Sequence, residues 1–279
     1  MLGPASPLAP GLLAASVVPL SATDLALAAL LVIGAGVISL ALGLGLEKRL
    51  GVATLRTVIQ LLGVGYVLTY VFRADHPALV GAVLLIMTLA AARAAVGRAS
   101  RSYGGVHLHA FVTLLITGTL TTGVVTQVVI GVKPWYQPQY VIPLMGMVFG
   151  NALTGISLSL DHLLESLDDR RDHIEARLAL GATAWEAALP SLREAIRRGM
   201  IPIINAMSVA GLVSLPGMMT GQILAGNDPL VAVAYQIVVM FMIAAASALG
   251  AMLTAIAVHR RLFDRAHRLR SEWILRRET

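Results

Sequence analysis

The chain has 279 residues, of which 57% are hydrophobic and only 13% are charged, with a formal net charge of +6. A soluble domain normally carries about 25% charged residues, so lipid is predicted to be the solvent for much of this chain. It contains no Cys, which excludes a disulfide framework, thiol catalysis and thiolate metal sites.

Apolar stretches dominate the sequence, and a membrane-spanning helix needs about 20 such residues. Seven stretches qualify, in chain order 24–46, 52–72, 77–97, 107–131, 138–160, 200–224 and 230–258. They predict an all-α polytopic membrane protein with about seven transmembrane helices. The predicted organisation is an N-terminal flank over 1–23, a transmembrane domain over 24–260 and a basic tail over 261–279. The flank has no Lys or Arg before its apolar residues, so no cleaved signal peptide is expected.

The basic residues predict the orientation of these spans. Of the 21 Lys and Arg residues, 18 fall in one set of connections and only Arg73 and Lys133 fall in the opposite set. Because basic loops stay in the cytoplasm, the N-terminus is predicted outside and the C-terminus cytoplasmic, in a cell inner (plasma) membrane. The basic residues lie beside spans and not along one soluble face, so nucleic acid is not expected as a partner.

The sequence lacks the residues that proton-driven transport and ATP binding would require. None of the 15 acidic residues lies near the middle of a predicted span, which disfavours a self-sufficient proton-driven transporter. The two lysines, Lys48 and Lys133, do not stand in a phosphate-binding P-loop. We therefore expect no catalytic residue and no cofactor on this chain. If ATP drives the protein, ATP and Mg²⁺ bind a separate subunit.

A charged segment, 161–199, interrupts the apolar pattern. Thr183-Ala-Trp-Glu186 is a helix-capping box, and Gly181 suits the end of the preceding helix. Pro190 is predicted to end a short helix over 184–189, and Ser191-Leu-Arg-Glu194 reads as a second capping box. The segment thus predicts short helices joined by sharp turns.

Two interpretations of this segment stay open on its residues alone. It could be a solvated amphipathic loop. It could instead be a docking element, in which exposed Trp185 and Leu189 seat in a groove of a soluble partner.

The stretch Glu175-Ala176-Arg177-Leu-Ala-Leu-Gly181, followed by Leu189-Pro190, resembles the EAA loop of ABC-transporter permeases. In that family the loop forms a coupling helix that contacts the ATP-binding subunit. The match departs where Arg177 replaces the second Ala, and Leu-Pro comes a couple of residues early. The resemblance implies coupling to a partner ATPase. The residues assigned to this coupling are Glu175, Ala176, Gly181, Trp185, Leu189 and Pro190.

Further segments narrow the resemblance, which covers roughly 25–260. They are RTVIQLLGVG from Arg56, Gly150-Asn151, SLPGMMTGQILAG over 214–226, and Tyr235-Gln236-Ile237. Together they resemble the FetB/YbbM-type ABC transporter permeases, the membrane subunits of an iron-export system with plant relatives linked to aluminium tolerance. The resemblance implies a separate ATPase and a metal-ion cargo, with iron export the first expectation. A homodimer is expected, because one seven-span half needs a second half to enclose a pathway.

Polar and soft side chains inside spans are the candidate pathway residues. Arg56 and Gln60 are four apart and share a helix face, although Arg56 could instead snorkel to the interface. Leu215-Pro216-Gly217 should break its span, and broken helices expose backbone carbonyls at transport sites. The full candidate set is Arg56, Gln60, Asn151, Asn205, Met207, Pro216, Gly217, Met218, Met219 and Gln222.

Each candidate also has a structural explanation. The amides could serve as hydrogen-bonding glue between helices, and the methionines could be adaptable packing. A thioether is a soft ligand that suits Cu(I) better than ferrous iron. The methionines therefore do not identify the transported metal. An alternative function from another class is a seven-span sensor or receptor that docks a cytoplasmic signalling protein.

Overall fold

The computed structural model of the chain describes residues 19–264 and 266–276. Most of the predicted N-terminal flank (1–18) and parts of the predicted tail (265 and 277–279) lie outside the described residues. The chain divides into two units, which are treated separately. One holds the residues up to His76 together with Gly221–Asp228, and the other holds Pro77–Thr220 and the chain from Pro229 onward.

The first unit contains two long apolar helices, α1 (Ala22–Ala41) and α2 (Glu47–Ala74). A capping box begins α1, in which the Ser21 hydroxyl accepts from the Asp24 amide and the Asp24 carboxylate accepts from the Ser21 amide. The α1–α2 turn is closed by buried Ser39, whose Oγ accepts from the Leu46 amide at 3.1 Å. Nearly all other side chains of both helices are exposed, as expected for helices whose surroundings are lipid or another protein.

The remaining elements in chain order are α3 (Pro77–Gly97), β1 (Arg101–Ser102), α4 (Val106–Val124), α5 (Pro138–Asp169), α6 (Arg171–Ala179), α7 (Ala184–Val209), α8 (Gly217–Leu224), α9 (Pro229–Leu262) and β2 (Leu275–Arg276). The second unit is a helical bundle with α5 at its centre, packed against α3, α4, α7 and α9. A π-helical turn, Val125–Ile130, continues α4. The short α8 crosses the boundary between the two units. Strands β1 and β2 form a two-residue antiparallel ladder.

Small residues let the central helices approach closely. A Cβ on Gly155 of α5 would lie 2.9 Å from the carbonyl oxygen of Gly199 of α7. A Cβ on Gly199 would in turn lie 2.8 Å from the carbonyl oxygen of Gly155. Glycine is therefore required on both sides of this crossing, which is how helices pack when lipid supplies no hydrophobic force between them.

Six helices in the described residues are long and apolar enough to cross a membrane. They coincide with six of the seven predicted spans, and the all-α polytopic fold is confirmed. The exception is the predicted span over 200–224. There α7 ends at Val209 and α8 begins at Gly217, so no single helix covers the stretch. The orientation of the termini remains a prediction.

Two local predictions within 161–199 are wrong. Pro190 does not end a short helix, because α7 runs from Ala184 to Val209 with Pro190 and Pro202 inside it. Packing of α7 against α5 and α9 outweighs the hydrogen bond that each proline removes. Ser191 consequently caps no helix, and its Oγ instead accepts from the Ser166 hydroxyl of α5 at 2.7 Å.

Candidate functional site

The segment that resembles a coupling loop folds as helix, turn and helix. α6 ends at Ala179, and Gly181 follows with φ +93°, a backbone conformation that favours glycine. Thr183 then begins α7 with the predicted capping box. Its hydroxyl accepts from the Glu186 amide, and the Glu186 carboxylate accepts from the Thr183 amide at 2.8 Å. The hydrogen bonds that the Thr183 amide and hydroxyl donate to this carboxylate hold the pKa of Glu186 below its usual range.

Apolar side chains stand exposed around this turn. Leu180, at the tip of the turn, is 88% exposed. Trp185, on the first turn of α7, is 46% exposed. The Trp185 ring meets His259 of α9 edge to face, with centroids 5.1 Å apart, so its position is fixed. Leu180 and Trp185 thus leave apolar side chains exposed at the turn between α6 and α7.

The other predicted coupling residues lie on the same helix–turn–helix. Glu175 and Ala176 are exposed on α6, Pro190 is exposed on α7, and Leu189 is half-buried. Glu175 accepts from Arg171 Nε at 2.7 Å, one helical turn away. This exposed pair contributes little stability and leaves the Glu175 side chain on the surface.

The C-terminal tail packs directly beside α6 and α7, which the sequence did not predict. His267 Nδ1 accepts from the Ala184 amide at 3.1 Å, satisfying a donor at the start of α7. Leu269 is buried, and the guanidinium carbons of Arg261 and Arg270 lie over the Trp273 ring, 4.6 and 4.5 Å from its centre. A cavity of about 440 Å³ separates Glu175 and Leu178 from the tail residues 266–269.

An ion-pair network anchors the last described residues of the tail. Arg276 donates to Asp168 of α5 at 2.8 Å, and β2 pairs with β1 beside it. The same Asp168 lies 3.3 Å from Arg101 Nε, and Arg101 also reaches Glu165 and Asp169. The tail, the α3–α4 connection and the end of α5 are thereby joined at the charged end of the second unit.

The predicted break at Leu215-Pro216-Gly217 lies at a second site. After α7 ends, Ala210 is extended and Gly211 takes φ +83°, so the chain turns sharply. The Val209 carbonyl accepts from the amides of both Val213 and Ser214, at 3.0 and 3.2 Å. α8 starts only at Gly217, leaving seven residues of irregular backbone between two helices.

A cavity of about 480 Å³ adjoins this break within the second unit. Met207 and Met219 line it from the chain on either side of the break, together with Pro216, and Met240 lines it from α9. Gln236 also lines it and is only 7% exposed. Its Oε1 has no hydrogen-bond partner among the described residues. A buried amide oxygen without a partner is costly and is available to a ligand.

Gln236 is thus the residue that the candidate set missed. The sequence could have identified Gln236, because it is a lone amide side chain inside an otherwise apolar span. The same criterion selected Asn151, Asn205 and Gln222.

The remaining candidates do not line this cavity. Asn151 is exposed and donates to the Met147 carbonyl of its own helix at 2.9 Å. Asn205 and Gly217 are exposed, and Met218 packs against the core. In the first unit, Arg56 and Gln60 are exposed on α2, and Gln222 lies on the second half of α8 with a buried Oε1. Their assignment to a pathway remains a prediction.

No group of three or more His, Asp or Glu side chains in the described part of the chain could hold a metal ion. The donors at the cavity are thioether sulfurs and one amide oxygen, a neutral set. Thioethers favour soft ions, whereas carboxylate and water oxygens favour hard ones.

Comparison with known proteins gives the family. Residues 22–263 match the family described as uncharacterised protein family UPF0014. The chain belongs to UPF0014. A UPF0014 membrane protein of Synechocystis sp. is 40% identical over 227 residues, which is 81% of this chain and 88% of that protein. No solved structure matches the chain.

The names of two further relatives of this chain indicate a function or a phenotype. A protein of Escherichia coli K12, named a probable iron export permease protein, FetB, is 34% identical over 88% of this chain and 93% of its own length. Protein ALUMINUM SENSITIVE 3 of Arabidopsis thaliana is 30% identical over 88% of this chain and 89% of its own. The chain is therefore a multi-pass membrane protein similar to a named permease, and its tail beyond residue 263 lies outside the family match.

Proposed function

We propose that this chain is the membrane-spanning permease subunit of an ABC transporter, and that a separate ATPase docks on α6 and the α6–α7 turn. The single observation that carries the proposal is the exposed turn at Leu180 and Trp185, held by the Thr183 capping box and by Gly181. ATP binding by the partner would shift this rigid helix–turn–helix. The shift would pass into the bundle because α7 continues unbroken to Val209.

Energy must then come from the partner, since the sequence has no P-loop. ATP and Mg²⁺ belong to that ATPase. We assign no catalytic residue to this chain, whose role is to bind cargo and change conformation.

The cargo we propose is a metal ion, with export as the direction. Iron is the first ion to test because the Escherichia coli relative is named for iron export. The cavity at the helix break, lined by Met207, Met219, Met240 and Gln236, is the site we assign to the cargo. Because its thioether donors suit a soft ion better than Fe²⁺, Cu(I) is the comparison to make beside iron.

The assembly we propose is a homodimer in a cell inner membrane, with α6 and the tail in the cytoplasm. The distribution of Lys and Arg supports this orientation. The exposed apolar surfaces of α1 and α2 provide area for lipid and for a second copy.

The test is to purify the chain in mild detergent from its native host and to identify co-purifying proteins by mass spectrometry. We expect a P-loop ATPase in stoichiometric amount, absent when Glu175→Lys or Gly181→Pro is introduced. Gly181→Pro imposes a negative φ where the turn needs +93°. Arg73→Glu, a charge reversal at an exposed position at the end of α2 and outside the predicted coupling residues, is the matched control. A kinase or response regulator in place of the ATPase would support the sensor alternative and overturn the proposal.

A further inference from the structure

An apolar groove with a basic end lies between α4 and α9, apart from the two sites described above. It encloses about 390 Å³. One wall is the α4 face formed by Leu108, Val112 and Ile116, which are 64, 42 and 47% exposed. The other wall includes Leu253 and Ile256 of α9. Residues 108 to 116 rise about 12 Å along the helix, close to half of a hydrocarbon core about 30 Å thick.

Two arginines close one end of this groove. Arg260 and Arg261 both line it, at the last turn of α9. Neither has an ion pair within the described part of the chain, and no acidic residue lines the groove. Two positive charges therefore stand together beside an apolar channel.

Arg261 is also held in place. Its guanidinium carbon lies over the Trp273 ring, 4.6 Å from the ring centre, which is a cation–π contact. Because Arg261 has no carboxylate partner among the described residues, its guanidinium N–H groups are available to a phosphate. A side chain already positioned loses less conformational entropy when it binds.

We propose that this groove binds an anionic phospholipid, with one acyl chain between α4 and α9 and the phosphate on Arg260 and Arg261. The apolar walls match the chain, and the unpaired arginines match a headgroup with net negative charge. A zwitterionic lipid would bring its own cation next to the arginines and would bind less well. Because Trp273 belongs to the tail, an occupied groove would link the lipid to the segment that packs beside α6.

The test uses native mass spectrometry of the delipidated full-length protein titrated with phosphatidylglycerol. We expect one lipid per chain to persist at activation energies that strip phosphatidylcholine. Arg260→Gln/Arg261→Gln should weaken binding about 25-fold, from roughly fivefold for each basic side chain near an anionic headgroup. Lys48→Gln/Arg49→Gln, which removes two charges from the start of α2, is the matched control and should bind as the wild type does. Ile116→Trp, which fills the channel and keeps both arginines, should also lose the lipid.

The other outcomes overturn the proposal. Equal losses in the two double variants would indicate general attraction to a basic surface. Binding that inorganic phosphate abolishes at millimolar concentration, or that survives Ile116→Trp, would indicate an anion site without an acyl chain. Lipid seen on monomers but excluded from an intact oligomer would indicate that a second copy covers the groove. Size-exclusion profiles establish that each variant is folded.

Discussion

The Ala184 amide at the start of α7 donates to Nδ1 of His267 across 3.1 Å. This bond joins the helix that follows the α6–α7 turn to a tail that lies beyond the family match. The tail thereby braces the segment to which we assign ATPase docking.

Removal of this bond should loosen the start of α7. His267→Ala leaves the Ala184 donor without its partner, which costs about 1 kcal/mol and should lower the melting temperature by about 2–4 °C in a protein of this size. Thermal unfolding in detergent, followed by intrinsic fluorescence, measures the change. His173→Ala on exposed α6 is the control and should melt with the wild type. An unchanged melting temperature for His267→Ala would show that the tail does not brace α7.

The capping box at Thr183 should make stability depend on pH. Hydrogen bonds hold the pKa of Glu186 below its ordinary value of 4.5, so the folded state favours the carboxylate. This stabilisation is fully present above pH 4.5 and is lost as the pH falls through the lower pKa of the folded state. The melting temperature of Glu186→Gln should therefore lie below that of the wild type at pH 7, with the gap closing in acid. A gap that stays constant with pH would contradict the carboxylate's role.

The α5–α7 crossing should not tolerate a side chain. Gly199→Ala places a Cβ 2.8 Å from the Gly155 carbonyl oxygen, and we expect a loss of about 1–3 kcal/mol from overpacking. Gly150→Ala on α5 is the matched control, because its Cβ would meet nothing within 4 Å and Ala favours a helix over Gly. Chemical unfolding in mixed micelles measures both. Equal stability of the two variants would mean that the helices separate more easily than this packing allows.

Gln236 should matter to transport more than to folding. Gln236→Leu replaces a buried oxygen that has no partner in the described residues by an apolar group of similar size, so stability should hold or rise. Transport should fall if the oxygen contacts cargo. Gln139→Leu, an exposed amide at the start of α5, is the control. Transport by Gln236→Leu at the wild-type rate would show that this cavity is not part of the transport pathway.

Much of this architecture could be read from the sequence, because apolar length and turn chemistry are local properties. The Thr183 capping box, the Gly181 turn and the break near Pro216 were each visible in a few neighbouring residues. The prediction that Pro190 ends a helix was wrong because the outcome depends on the packing of α7 against α5 and α9. No local sequence pattern reports that packing. The tail was missed for the same reason, since His267 and Arg276 act through partners 83 and 108 residues away.

The central claim is that this chain couples to ATP hydrolysis through α6 and its turn. The most direct measurement is ATP hydrolysis and ion movement in proteoliposomes that contain the chain and its co-purified ATPase, with Fe²⁺ and Cu(I) compared as cargo. We predict that one of these ions stimulates hydrolysis and moves with ATP, and that Glu175→Lys abolishes both effects while the protein remains inserted. Two results would contradict the account. One is a rate of ATP hydrolysis that is the same with and without this chain, and the other is ion-stimulated hydrolysis and transport in Glu175→Lys equal to those of the wild type.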